Sequence, residues 1–364
     1  MKKTILKIFL ICGISFILIS WGSVGHNKIS QETSLSFPIS PSFLQIWCDS
    51  LAINASNADI RKQTDPMEQY NHYIDIDSYP EFIANGTIPS TYDSVVNIHG
   101  QTFVTETGIL PWATLTYYDS LVMAFQAGDM HQAMLYASDI GHYVADGHMP
   151  LHITTNYNGQ FTGQYGIHSR YESTMIGTYI SQINYVGSSV NYIPNVNNYI
   201  FNYLYINEIY VDSVLAADTY ATNLAGGSTT SSTYKTALWN KTKNFTTLLF
   251  KNASHAIAEL IYTAWLESTG VSSNSNTSQI VSNFNVFPNP VQSSTTINFN
   301  LQKNSNVQLK ITDITGKQVF ISNQFFESGE QHFDLETKDY KNGIYFCTLT
   351  TGNLSKSIRI AVIH

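Results

Sequence analysis

The sequence predicts a mostly α-helical domain followed by a small antiparallel β-sandwich. Apolar residues recur at helical spacing up to about residue 267. A Ser/Asn/Thr-rich stretch then interrupts the chain, and beyond it the period becomes two. The 364 residues, 43% hydrophobic and only 12% charged, can bury a core in each part. The net charge of −8 and the absence of a basic tract argue against recognition of nucleic acid through phosphate charge. Three cysteines are too few for a disulfide scaffold or a cysteine-rich zinc module.

Taken in order, residues 1–20 read as a secretory signal peptide. Lys2 and Lys3 precede an apolar run from Ile5 to Ile19, shorter than the ~20 residues of a comfortable membrane span, and small Ser20 closes it. Cleavage there makes Trp21 the new N-terminus and removes Cys12. Cys48 and Cys347 remain, far apart, with no disulfide expected between them. Residues 21–267 carry the helical patterns. Leu121, Met123, Ala124 and Phe125 mark one helix. Ile140, Tyr143 and Val144 mark the next, ended by Pro150, and Ile257, Leu260, Ile261 and Trp265 mark the last.

Residues 268–283 read as a flexible linker. Residues 284–364 alternate, as in Thr296–Leu301 and Val307–Ile311, with a turn cluster at Asp313–Gly316. The charge divides the same way. Residues 21–267 hold 8 Lys/Arg against 20 Asp/Glu, residues 268–364 hold 7 against 6, and no basic residue lies between Lys62 and Arg170. An acidic pocket that takes phosphate needs a compensating cation, which metal ions supply.

The chemistry-bearing pattern is His142-x3-Asp146-x5-His152 followed by His168-x3-Glu172. Residues four apart share a helix face, and His with carboxylate is a donor set suited to zinc. His152, just past Pro150, can turn back toward the site; Asp59 and His72 lie upstream. The mature start Trp21-Gly22-Ser23-Val24-Gly25-His26 adds an imidazole and a chelating amine and carbonyl, provided Trp21 is the true N-terminus.

These motifs resemble the zinc-dependent phospholipase C and S1/P1 nuclease superfamily over residues 21–267: the Trp start, WGxxGH, upstream Asp and His, HxxxDxxxxxH, then HxxxE. The resemblance implies a secreted helical phosphoesterase with three zinc ions. One ion takes Asp59, His72, His142 and Asp146, and a second takes His152, His168 and Glu172. The third takes the Trp21 amine and carbonyl, His26 and a bridging Asp146. Asp59 is also a candidate for orienting or deprotonating the attacking water, so Asp59 and Asp146 stand as the catalytic pair. Asp75 and Asp77 read as outer groups rather than ligands.

The substrate stays open between phospholipid and single-stranded nucleic acid. Glu172, a short His152–His168 loop without a GGN signature, and the scarcity of Lys and Arg favour the phospholipase branch narrowly; the WGxxGH start favours the nuclease branch. Gly108-Ile109-Leu110-Pro111-Trp112 resembles both. A third reading is a secreted binding or adhesion protein with structural metals only. His99, His131, His148, His255, His332 and His364 match no ligand spacing. Phe287-Pro288-Asn289-Pro290, Asp313–Lys317 and Asn342-Gly343-Ile344-Tyr345 resemble a type IX secretion sorting domain. That resemblance implies passage through the periplasm to the surface or medium, with the secretion machinery as partner; the sequence points to no stable protein partner.

Overall fold

A computed structural model describes residues 22–269, 281–313, 317–351 and 354–364. The expected signal peptide and Trp21 lie outside the described residues, as does most of the expected linker. The chain divides into two compact units, Met1–Val271 and Ser272–His364.

The first unit is helical. Its elements are α1 (Gly22–Gln31), α2 (Phe43–Asn54), α3 (Asn57–Arg61), α4 (Pro80–Asn85), α5 (Tyr92–His99), α6 (Gln101–Glu106), α7 (Leu110–Ala127) and α8 (Met130–Asp146). They continue with α9 (Ile167–Ser169), α10 (Ile176–Tyr179), α11 (Val196–Glu208), α12 (Tyr210–Leu224) and α13 (Ser232–Ser268). Short 3₁₀ turns at Glu68–His72 and Pro150–His152 bring in ligand candidates.

α7 and α8 form a hairpin whose corner is written in the chain. Gly128, at φ +73°, ends α7, and the Asp129 side chain accepts from Gln132 N at 3.0 Å to cap α8. Leu121, Ile140, Tyr143, Val144, Ile257 and Ile261 are fully buried in one core. Met123, expected on the apolar face, is 60% exposed. α8 stops at Asp146, four residues before Pro150, and Pro150 instead opens the 3₁₀ turn that carries His152. The last helix is longer than its apolar end suggests, running 37 residues from the Ser231 cap to Ser268.

α11 packs beside the end of α8. Tyr203 lies so close to Gly147 that a Cβ there would sit 2.7 Å from its ring, and Asn207 Nδ2 donates to Gly147 O at 2.9 Å. Among the described residues, the Asn- and Tyr-rich 177–235 region therefore includes packing against the ligand-bearing segments.

Gly108 sets the segment that carries His72. At φ +87° it lets the Tyr73 carbonyl approach, and Ile109 N and Leu110 N then donate to Tyr70 O and Tyr73 O at 2.7 and 3.2 Å. A Cβ on Gly108 would stand 2.2 Å from Tyr73 O.

The second unit is a two-sheet antiparallel sandwich. It contains β1 (Val281–Phe287), β2 (Ser294–Leu301), β3 (Ser305–Asp313), β4 (Gln318–Phe326), β5 (Gly329–Glu336), β6 (Gly343–Thr351) and β7 (Leu354–Val362). One sheet runs β1-β2-β5 and the other β4-β3-β6-β7. Register places Ile297 opposite Phe333 and Ile311 opposite Cys347. Alternate residues Ile297, Phe299, Leu301, Leu309 and Ile311 fill its own core. Strand β1 starts at Val281, a little before the expected boundary at 284. Cys48 and Cys347 are free and buried in separate cores.

Gly108→Ala is expected to cost about 2–4 kcal/mol, because it adds both a clash and a disfavoured φ; chemical denaturation measures it. Because each unit has its own core, a chain ending at Thr269 is expected to keep a cooperative helical melt. An aggregated truncation would contradict this.

Candidate metal centre

Asp146, fully buried at the C-terminal end of α8, is ringed by histidines from four elements. His142, one turn earlier, brings Nε2 to 3.3 Å of Asp146 Oδ2, and His72 Nδ1 lies 3.0 Å from the same oxygen. His26 Nε2 of α1 and His152 Nδ1 lie 3.5 Å from Oδ1. His26 and His142 stack in parallel at 4.0 Å. Asp59 Oδ1 stands 3.7 Å from both His72 Nδ1 and His142 Nε2, and Lys62 Nζ sits 2.5 Å from that oxygen.

Three buried donor groups result: His26/His142/Asp146, Asp59/His72/His142 and His152/His168/Glu172, each with donor atoms within 4.8 Å of one another. The eight described ligand candidates from the sequence therefore come together, and Trp21 lies outside the described residues.

Backbone carbonyls set which imidazole nitrogen is presented. His142 Nδ1 donates to Ala55 O at 2.6 Å, turning Nε2 to the cluster. His152 Nδ1 donates to His72 O at 2.6 Å, turning Nε2 toward Glu172 Oε2 at 3.7 Å. His168 Nε2 approaches Glu172 Oε2 at 2.6 Å. This pair keeps its expected four-residue spacing, although the segment widens into a π-helix over Arg170–Met175.

The donor set fits metal ions. His152 Nε2, both His168 nitrogens, both Glu172 oxygens and Asp59 Oδ2 are buried without an aligned hydrogen-bond partner. Buried polar atoms in that condition cost free energy that a cation recovers. Burial opposes ionisation of Asp146, yet His142, His152 and His26 hold its carboxyl well below the ordinary range. Burial lowers the His142 pKa, but Asp146 and Asp59 outweigh it and push it up to about 9. At His142 a proton and a metal ion therefore compete for the same nitrogen.

Two clasps hold the ligand-bearing segments. Asp77 accepts from Thr154 Oγ1, Thr155 N and Thr155 Oγ1 at 2.7–2.8 Å, tying the His72 segment to the stretch after His152. Buried Asp218 of α12 accepts from Arg170 Nη2 at 2.9 Å, Gln164 Nε2 at 2.8 Å and Tyr234 Oη. The outer role expected of Asp77 is thus a structural clasp. Tyr157, 39% exposed, meets His168 edge-on at 5.9 Å, and Phe161 and Tyr165 are exposed on the same loop. His148 is a core residue, packed 4.6 Å from the Tyr203 ring and lowered by burial to about 4.

Sequence reasoning missed Lys62, Glu68, Arg61, Asp139 and Asp218 at or behind the site. Lys62, Arg61, Asp139 and Asp218 carried no sequence signal beyond being charged in a charge-poor domain, whereas Glu68-x3-His72 has the helix-face spacing of the other acid–histidine pairs.

Residues 285–363 match the family model of the secretion system C-terminal sorting domain. The tail marks the chain for type IX export, to the cell surface or the medium. No curated protein matches the chain. Two solved structures resemble it in shape. Alpha toxin from Clostridium absonum has a TM-score of 0.43 at 11% identity, over 93% of this chain and 96% of that one. Clostridium perfringens alpha-toxin from an avian strain has 0.43 at 12%, over 94% and 97%. Among the described residues, no helix is long and apolar enough to cross a membrane.

Burial, with Asp77 adding repulsion, pushes the Asp75 carboxyl up to about 7. Its folded value exceeds the unfolded ~3.9, so folding favours the protonated form. That contribution is intact below about pH 4 and lost as pH rises through about 7. Asp75→Asn is expected to stabilise the protein at pH 8 by about 1–3 kcal/mol, a gain that fades toward pH 4 in thermal melts.

Proposed function

We propose that the helical unit is a secreted zinc-dependent phosphodiesterase that cleaves phospholipid headgroups in the manner of a phospholipase C. The observation that carries this reading is the sharing of donors: His142 belongs to two of the three buried groups, and Asp146 is close to all of them. Structural zinc sites are closed and self-contained, so shared donors argue against an adhesion protein with structural metals only.

Zinc bound there supplies a water of lowered pKa and neutralises phosphoryl oxygens. In this reading Asp146 holds the donor groups in register, His142 and His152 present fixed nitrogens, and Asp59 orients the attacking water. Asp59 pairs with Lys62, which brings a cation to the cluster edge.

The distribution of cations supports a lipid headgroup over a polynucleotide. Arg61 is committed to Asp139 at 2.8 Å, and Arg170 to Asp218. A single-strand groove needs Lys and Arg along the backbone, and none lies between Lys62 and Arg170 in sequence. The second reading is an S1/P1-type nuclease on the same donors, favoured by the Trp21–His26 start and by the part-exposed Tyr157 ring against His168, which suits base stacking.

The deciding experiment presents purified protein with phosphatidylcholine and single-stranded DNA side by side, with zinc counted by elemental analysis. About three ions with turnover of phosphatidylcholine is the expected result; turnover of DNA alone selects the nuclease, and bound zinc with neither activity selects the binding protein. Asp146→Asn is expected to lower turnover by about 100-fold or more, against about tenfold for His26→Ala, because Asp146 lies within 3.5 Å of a histidine of every donor group whereas His26 touches one group. Near wild-type turnover in Asp146→Asn would remove the bridging role.

A further inference from the structure

Glu68 is a buried acid, 3% exposed, that belongs to none of the three donor groups. It opens the 3₁₀ turn Glu68–His72 and stands four residues before His72. Its Oε1 lies 3.4 Å from His72 Nε2. The other ring nitrogen, Nδ1, lies 3.0 Å from Asp146 Oδ2 and 3.0 Å from His142 Nε2. One imidazole thus faces the donor cluster with one nitrogen and a carboxylate with the other. The Nε2–Glu68 contact is an ion-pair distance rather than an aligned hydrogen bond, and Nε2 is buried with no other hydrogen-bond partner, so Glu68 is the acceptor placed to take its N–H and leave Nδ1 bare toward a cation.

The carboxylate is itself fixed. Tyr143 Oη donates to Glu68 Oε1 at 2.6 Å, and Asn71 Nδ2 to Oε2 at 3.3 Å. Arg61 reaches both oxygens at 3.4 Å while holding Asp139 at 2.8 Å and donating to Tyr143 Oη at 3.1 Å. Tyr143 follows His142 directly on α8, so one helix both presents a ligand and anchors the acid behind another. Within this network one guanidinium stands against two carboxylates. Glu68 is the carboxylate of the two that faces His72, and a carboxylate in that position strengthens the opposite nitrogen as a metal donor.

We propose that Glu68 is a positioning residue of the metal centre: it holds His72 with Nδ1 turned to the ion shared with Asp59 and His142, and it tightens that ion alone. The proposal rests on reading the donor cluster as a metal centre.

The test uses the full chain as wild type, Glu68→Ala, Glu68→Gln and Glu259→Gln. Glu259 is a buried acid of α13 bonded to Tyr199 and Asn191, and serves as a control. Each protein is stripped with a chelator and reloaded with zinc alone. Bound ions are counted, retention is titrated against a competing chelator, and the metal-free melting temperature is recorded. In Glu68→Ala one ion per chain is expected to weaken by about 10–100-fold, with the others unchanged. Glu68→Gln, which keeps an acceptor oxygen, is expected to fall between it and wild type; Glu259→Gln is expected to match wild type. Wild-type retention of every ion by Glu68→Ala overturns the proposal. So does a uniform loss of all ions in step with lost folded protein in both Glu68 variants, the mark of a structural role. If Glu68→Ala does not fold, Glu68→Gln decides: selective weakening of one ion supports the proposal, and unchanged retention overturns it. A wild-type chain that takes up no zinc overturns the metal reading itself, before any variant is compared.

Discussion

A carboxylate with no exposed surface, Asp146, sets the terms for the helical unit. A buried anion is tolerated only when matched by positive charge and hydrogen bonds. Here the match comes from His26, His72, His142 and His152, all within 3.5 Å of its two oxygens. Those histidines arrive on α1, a 3₁₀ turn, α8 and a second 3₁₀ turn, so these elements must converge on the last turn of α8. The hairpin corner at Gly128 and Asp129, the Gly108 approach and the Pro150 turn are the local devices that permit it.

Around this anion the polar groups fall into layers with separate work. Backbone carbonyls of Ala55 and His72 take the outward N–H of His142 and His152, which fixes the inward nitrogens. Asp77 and Asp218 then bind the chain on either side of the third donor group to the rest of the domain. The arginines are spent inside these networks. The domain is strongly acidic, and its two arginines are each paired with a carboxylate, so few basic groups remain to grip a polyanion.

The tail is built on another principle. Its strands alternate buried residues with more exposed ones, and the buried ones form a core of their own. That independence suits an address label, which must be readable whatever cargo precedes it.

The pairs His142/Asp146 and His168/Glu172 were legible from spacing, because three intervening residues put two side chains on one helix face; His26, Asp59, His72 and His152 stood only on the resemblance of motif order. The β-domain was legible because alternation reports a half-buried strand directly. What only the tertiary structure decided were the partners drawn from far along the chain. Glu68 meets Tyr143 across 75 positions, Arg61 meets Asp139 across 78, and Arg170 meets Asp218 across 48. No periodicity links such residues, because their proximity follows from how helices pack rather than from how one helix turns. The choice of ring nitrogen at His142 and His152 belongs to the same class, since it depends on which carbonyl from a different segment lies behind each ring.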